Sequence, residues 1–219
     1  PFMPLESKVF QSLNRGKDSL VLSAQDVRAQ EIVHRLIPNV DVVVINYRPD
    51  VAKRLNIDYD TLRAIKPDLI YVDITAFGRK GPWAPKPGYD IVVQAVTGLM
   101  AADAKLGPGG KPEVVTATAV ADYATGLTVA WAVTSALFHR ERTGEGQLVE
   151  ASLMATALAV QGSAVMELPV ADEVLRNKLR DRRKEIQSQG ATYEEMLAVS
   201  RTQRQAPNIY YRTYRTKDG

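Results

Sequence analysis

Asp41-Val-Val-Val-Ile-Asn-Tyr-Arg-Pro49 is the stretch that decides the fold. Val42 to Ile45 are apolar without alternation, so a strand here has no face to give to water and must be covered on both sides. That is the situation of a parallel sheet between two layers of helices. Pro49 suits the first turn of a short helix reaching Leu55. Upstream, Asp26 to Ile37 carries Val27, Ile32, Val33, Leu36 and Ile37 at helical spacing, with Pro38 closing it. Ser19–Leu22 before it is apolar enough for a first strand. Downstream, Thr61–Ile65 gives another short helix before Pro67, and Leu69–Ile74 gives a strand. The alternation predicts a doubly wound, mainly parallel α/β sheet, in which ligands bind beyond the carboxyl ends of the strands. The loops expected to face a ligand are therefore Ser23–Gln25, Asn46–Asp50 and Thr75–Gly81.

Beyond the third strand, Phe77 to Pro87 holds three prolines and two glycines and should be an irregular loop. Gly88-Tyr89-Asp90 leads into an apolar helix expected over Ile91–Ala101, and Gly107 to Pro112 marks a further loop. Ala119–Phe138 is twenty residues long with one charge, Asp122. Its length would fit a membrane span, but its Ala, Thr, Ser and Gly content and the cost of an intramembrane Asp favour a buried, closely packed core helix. Gly144 can end that helix, and Gln147–Glu150 reads as a last strand, followed by a small-residue helix to about Met166. After Pro169, Asp172–Gln189 interleaves both charge signs and reads as a solvated connecting helix.

With 219 residues, 45% of them hydrophobic and 24% charged, the chain is long enough for a sizeable core. It has no cysteine, which excludes disulfides, thiolate metal sites and thiol nucleophiles, and its two histidines, His34 and His139, make a multi-histidine metal site untenable. No metal site is expected. A net charge of +3 suits a phosphorylated ligand and falls far short of a dedicated nucleic-acid binder. The first twenty residues lack the apolar core of a signal peptide, so a cytoplasmic protein is expected. The chain opens on Pro1 and ends at Gly219 after a tyrosine-rich run, which suggests a piece of a longer protein.

Phosphate-binding, dinucleotide-binding, zinc-protease and serine-hydrolase signatures are all absent, so carboxylates, hydroxyls and lysines are left to carry chemistry. Asp122 stands out as a lone charge at an expected helix start, where free amide groups and the helix dipole hold an anion. It reads either as a nucleophilic carboxylate or as a simple N-cap. Asn46, Tyr47 and Arg48, with Arg54 farther on, place an amide, an aromatic ring and two guanidinium groups near one strand end, as a phosphate-bearing ligand would need.

The order of these segments is similar to that of the class III CoA-transferases, the family of formyl-CoA and carnitine CoA-transferases that also holds the α-methylacyl-CoA racemases. The resemblance is carried by Ser12-Leu-Asn-Arg-Gly-Lys17, Asp41 to Pro49, Leu69-Ile-Tyr-Val, Phe77-Gly78 with Gly81-Pro82, Gly88-Tyr-Asp90, Ala121-Asp-Tyr-Ala-Thr-Gly-Leu127 and His139 to Gln147, and resumes at Tyr211 to Gly219. It implies a Rossmann-like large domain and identifies Asp122 as the nucleophile of CoA transfer, working through an aspartyl mixed anhydride and an aspartyl-CoA thioester. Contacts to CoA would fall on Leu22, Ser23, Ala24 and Gln25, on Asn46, Tyr47, Arg48 and Arg54, and on Pro87, Gly88, Tyr89 and Asp90. Racemase members carry a histidine where this chain has Tyr89, which favours transferase over racemase or epimerase. An inactive CoA-binding fragment is the other alternative.

The resemblance further implies acyl-CoA and a small carboxylic acid as substrates, no permanently bound cofactor, no nucleic-acid or membrane partner, and an interlocked homodimer. The domain division it implies is 1–168 for the CoA-binding part, 169–205 for a charged linker and 206–219 for the start of a further domain. Arg204-Gln205-Ala206-Pro207-Asn208 stands where the family has a glycine-rich substrate loop.

Overall fold

The computed structural model of the chain describes residues 7–103, 105–115, 118–174 and 176–204. A short helix, α1 (Lys8–Leu13), is capped by the Ser7 hydroxyl, which accepts from the Phe10 amide. Residues 17–23 are irregular, and Leu20 and Val21 are exposed, so Ser19–Leu22 is not a strand. Among the described residues no strand pairs with it, and a strand needs a neighbour's hydrogen bonds as well as apolar side chains. Helix α2 (Val27–Leu36) begins at Asp26, whose side chain accepts from the Arg28 amide, and runs into a 3-10 turn that takes in Pro38.

The sheet consists of β1 (Val42–Ile45), β2 (Ile70–Thr75) and β3 (Leu148–Ser152), all parallel, in that order. Helices α3 (Pro49–Arg54) and α4 (Tyr59–Ile65) connect β1 to β2; α3 starts at Pro49 as expected, whereas α4 starts two residues before the expected Thr61, because Asp58 caps it. Val43 aligns with Tyr71 and Tyr71 with Leu148, so the two faces of the sheet sort cleanly. One face packs Ile45, Leu69 and Tyr71 against Ile37, Ala52 and Leu62 of the helical side. The other packs Ile70 and Val72 against Val129 and Ala136. Helices on both faces make the doubly wound α/β arrangement. The expectation of cover on both faces holds for the central strand, where Ile70, Tyr71 and Val72 are all buried, but not for β1, which lies at the edge of the described sheet and leaves Val44 exposed.

Between β2 and β3 lie α5 (Asp90–Val96), α6 (Leu99–Asp103) and α7 (Val120–Thr143). The single helix expected over Ile91–Ala101 is broken at Gly98, whose φ of 79° leaves the helical region. Helix α7 is not the buried rod its composition suggested. Ala121, Thr125, Val129 and Ala136 turn inward, while Leu127, Trp131 and Phe138 on other faces are exposed. Small residues give the close approach on one side only. Among the described residues no helix is long and apolar enough to cross a membrane. Gly144 ends α7 in the left-handed conformation, and Arg140 ties the helix end to Asp41 at 2.9 Å.

After β3 come α8 (Leu153–Ala159) and α9 (Gly162–Val165), two helices where one to Met166 was expected. The charged region forms α10 (Pro169–Val174) and α11 (Arg176–Ser188) on either side of residue 175, and α12 (Tyr193–Arg204) follows. The expected domain start at 206–219 and the run Gln205–Asn208 lie outside the described residues.

Candidate active site

At the carboxyl ends of β1 and β2 a cavity of about 420 Å³ opens. Asn46, Tyr47, Arg48 and Val51 line it from the β1 side, Thr75 and Ala76 from β2, and Ala84, Lys86, Pro87, Gly88 and Tyr89 from the loop that follows. That loop is held in place by its own side chains. The Thr75 hydroxyl accepts from the Gly78 amide at 2.9 Å, Phe77 meets Trp83 edge-on at 5.2 Å, and the Lys86 ammonium sits 5.0 Å from the Trp83 ring. Gly88 lies so close to β2 that a Cβ there would come within 2.5 Å of Ala76 Cβ. On the same face of β2 as Thr75, Asp73 is 3% exposed and pairs with Arg79 at 3.2 Å, and Arg79 also reaches Glu150 at 3.5 Å. Burial raises the Asp73 pKa and the Arg79 charge opposes the rise.

The segment Gly88-Tyr89-Asp90 joins this cavity to the start of α7. Tyr89 lines the cavity and is largely exposed. The next side chain, Asp90, turns away: its Oδ1 accepts from the Ala121 amide at 2.7 Å and from the Asp122 amide at 3.2 Å. Asp122 is thus not the N-cap of α7. It stands in the first turn, behind Ala119 at the cap position, which offers no side-chain hydrogen bond, and the capping work is done by Asp90 from another helix. That leaves the Asp122 carboxylate at the surface, beside the cap. Partial burial, with the nearby Asp90 charge adding to it, holds the Asp122 carboxyl above its ordinary pKa. Phe77, Val93, Ala121 and Ala157 form the apolar cluster beneath, so loop, α5, α7 and α8 are packed as one support.

Of the residues expected to contact CoA, Asn46, Tyr47, Arg48, Pro87, Gly88 and Tyr89 come together around one cavity. Leu22, Ser23, Ala24, Gln25 and Arg54 do not line it, and Asp90 is engaged with α7. Val51, Ala84 and Lys86 were not singled out from sequence. Lys86 had a signal, a cation among prolines just ahead of Gly88, whereas Val51 and Ala84 are ordinary apolar residues that only the fold brings here. A larger groove of about 920 Å³ is lined by residues 164 to 187, including Glu167, Asp172, Arg180 and Arg183. It takes nothing from the strand ends, and strand ends are where this class of sheet binds ligands.

The chain is similar over most of its length to several known proteins. An acetyl-CoA:oxalate CoA-transferase of Acetobacter aceti is 37% identical over 166 residues, covering 76% of this chain and 42% of the relative. A succinate–glutarate CoA-transferase of Agrobacterium fabrum is 37% identical over 156 residues, covering 71% of this chain and 38% of the relative. The crystal structure of Rv3272 from Mycobacterium tuberculosis superposes with a TM-score of 0.65 at 35% identity, over 69% of this chain and 41% of that one. The chain therefore spans about two-fifths of the length of the relatives it matches. Residues 2–219 match the model of CoA-transferase family III, and the protein belongs to that family.

Proposed function

We propose that the protein moves CoA from an acyl-CoA donor to a small carboxylic acid, with Asp122 as the covalent carrier. The observation that carries this is the placement of a surface carboxylate in the first turn of α7, one residue-to-residue contact away from the loop that lines the cavity. Arg48 and Lys86 offer two cations to the phosphates of CoA, and Tyr47 and Tyr89 offer exposed rings to its base.

In the proposed sequence, an Asp122 oxygen attacks the thioester carbonyl carbon and the C–S bond breaks, giving an acyl-aspartyl anhydride and CoA thiolate. The thiolate attacks the aspartyl carbonyl of that anhydride, which releases the donor acid and leaves an aspartyl-CoA thioester. The acceptor carboxylate attacks this thioester, expelling thiolate and forming a second anhydride. Attack of the thiolate on the acceptor's acyl carbon yields the new acyl-CoA and returns Asp122 as a carboxylate. No net charge or proton is consumed, which suits a site without histidine. A tyrosine side chain is in general a poor base for abstracting an α-proton at neutral pH, so Tyr89 lends racemisation no support. Membership of the family supports a homodimer, which light scattering on a protein of family length tests.

The test is to incubate a protein of family length carrying these residues with acyl-CoA, trap with hydroxylamine and map the modified peptide by mass spectrometry. The adduct is expected on the peptide holding Asp122 and absent from Asp122→Ala. An adduct that survives the substitution overturns the reading.

A further inference from the structure

Gln94 is fully buried in a helix whose other neighbours are exposed or apolar, and both ends of its amide are committed. Its Oε1 accepts from the Val115 amide at 2.9 Å, and its Nε2 donates to Asp90 Oδ2. Asp90 Oδ1 in turn accepts from the Ala121 and Asp122 amides. A hydrogen-bonded line thus runs from the irregular segment at Val115, through Gln94 and Asp90, to the peptide group of Asp122.

The chemistry of this line dictates which residue can sit at position 90. With Oε1 taken by an N–H, Gln94 can present only its donor end to position 90. The amides of α7 present donors from the other side. Position 90 must therefore accept on both sides, which a carboxylate does and an amide of the same size does not. For capping α7 alone an asparagine would serve as well as an aspartate. Gln94 is what selects the charge, and the charge then lies beside Asp122.

We propose that Asp90, oriented by Gln94, is a positioning residue for Asp122: it caps the first turn of α7 and so fixes the backbone that carries the attacking carboxylate. The inference rests on the reading of Asp122 as nucleophile. As Asp122 attacks the thioester and the sulfur departs, the peptide that carries it must keep its place. The charge-assisted cap holds the peptide in place through the same steps.

The experiment uses acyl-CoA and a protein of family length carrying these residues. Asp90→Asn is expected to slow single-turnover acylation by roughly 10- to 100-fold, the range for losing a hydrogen bond to a charged group, with KM for acyl-CoA within about threefold. Adding Gln94→Glu restores complementarity, because the new amide donates to the new carboxylate, which also accepts from Val115. The double variant is expected to recover most of the lost rate. A double variant as slow as the single one overturns the proposal. So does an Asp90→Asn variant that keeps its acylation rate while KM rises, since that is the behaviour of a direct CoA ligand. Asp122→Ala separates this inference from its parent: an adduct that persists there overturns both, whereas an adduct lost there with Asp90→Asn unaffected overturns the positioning role alone.

Discussion

Asp122 shows how little a residue's position in a sequence motif says about its surroundings. Its carboxyl is pushed up by burial first and by Asp90 second, so in the folded chain its acid form is favoured relative to the unfolded one. The sign follows directly. Whatever stability Asp122 adds is present in full below the ordinary carboxylate pKa and is lost as pH rises through the higher folded value. Asp122→Asn is therefore expected to leave the melting temperature at neutral pH unchanged or raised, and to flatten its dependence on pH in the acid range, which calorimetry at a series of pH values checks. On the proposed reaction acylation needs the ionised form of Asp122, so its rate is expected to climb with pH through a value above that of an ordinary aspartate. Gly146 makes the opposite point, that a residue can matter only through its lack of a side chain. A Cβ there would overlap the backbone of Asp68 and Leu69 at the entry to β2. Since backbone cannot step aside as a side chain can, Gly146→Ala should cost about 2 kcal/mol or more, read from urea unfolding.

The helices of this chain start where a side chain meets their free amides, and α4 and α7 do it differently. In α4 the cap is local: Asp58 accepts from the Thr61 amide at 3.2 Å and from the Thr61 hydroxyl at 2.7 Å. Burial alone would raise its pKa, but these hydrogen bonds outweigh it and hold the carboxyl below its ordinary value. Asp58→Ala should thus cost about 1 kcal/mol at neutral pH. Because the folded pKa is lowered, that contribution is present above the ordinary carboxylate pKa and lost as pH falls through the folded one, so parent and variant should converge in acid unfolding curves. The α4 cap, with cap and capped amide three residues apart, is a local feature, although the helix was expected to start only at Thr61 and Asp58 was not singled out. The α7 cap is not local, because Asp90 and Asp122 lie 32 apart and only packing joins them.

On the scale of the whole molecule, the fold divides its apolar residues between a sheet sandwiched by helices and a large exposed remainder on α7. Leu62 is 1% exposed within the core under β1 and β2, while Trp131 is 76% exposed. Leu62→Ala should cost about 2 to 5 kcal/mol, and Trp131→Ala no more than about 0.5 kcal/mol, in denaturant unfolding of this chain. Acrylamide should quench the Trp131 emission as it does a solvated indole. The apolar run Val42–Ile45, the strand that follows Pro67 and the proline-rich loop after Thr75 determined by themselves that this is a parallel α/β protein, because short apolar runs separated by amphipathic helices and proline's fixed geometry leave few alternatives. Ser19–Leu22 misled, since apolar character without a pairing partner does not make a strand. Only the tertiary structure decided that Lys86 and Val51 share a cavity with Asn46, that α7 shows large side chains to solvent and small ones to the core, and that Asp90 serves the helix of Asp122. Those facts depend on contacts between residues distant in the chain, which periodicity and propensity, being local, do not encode.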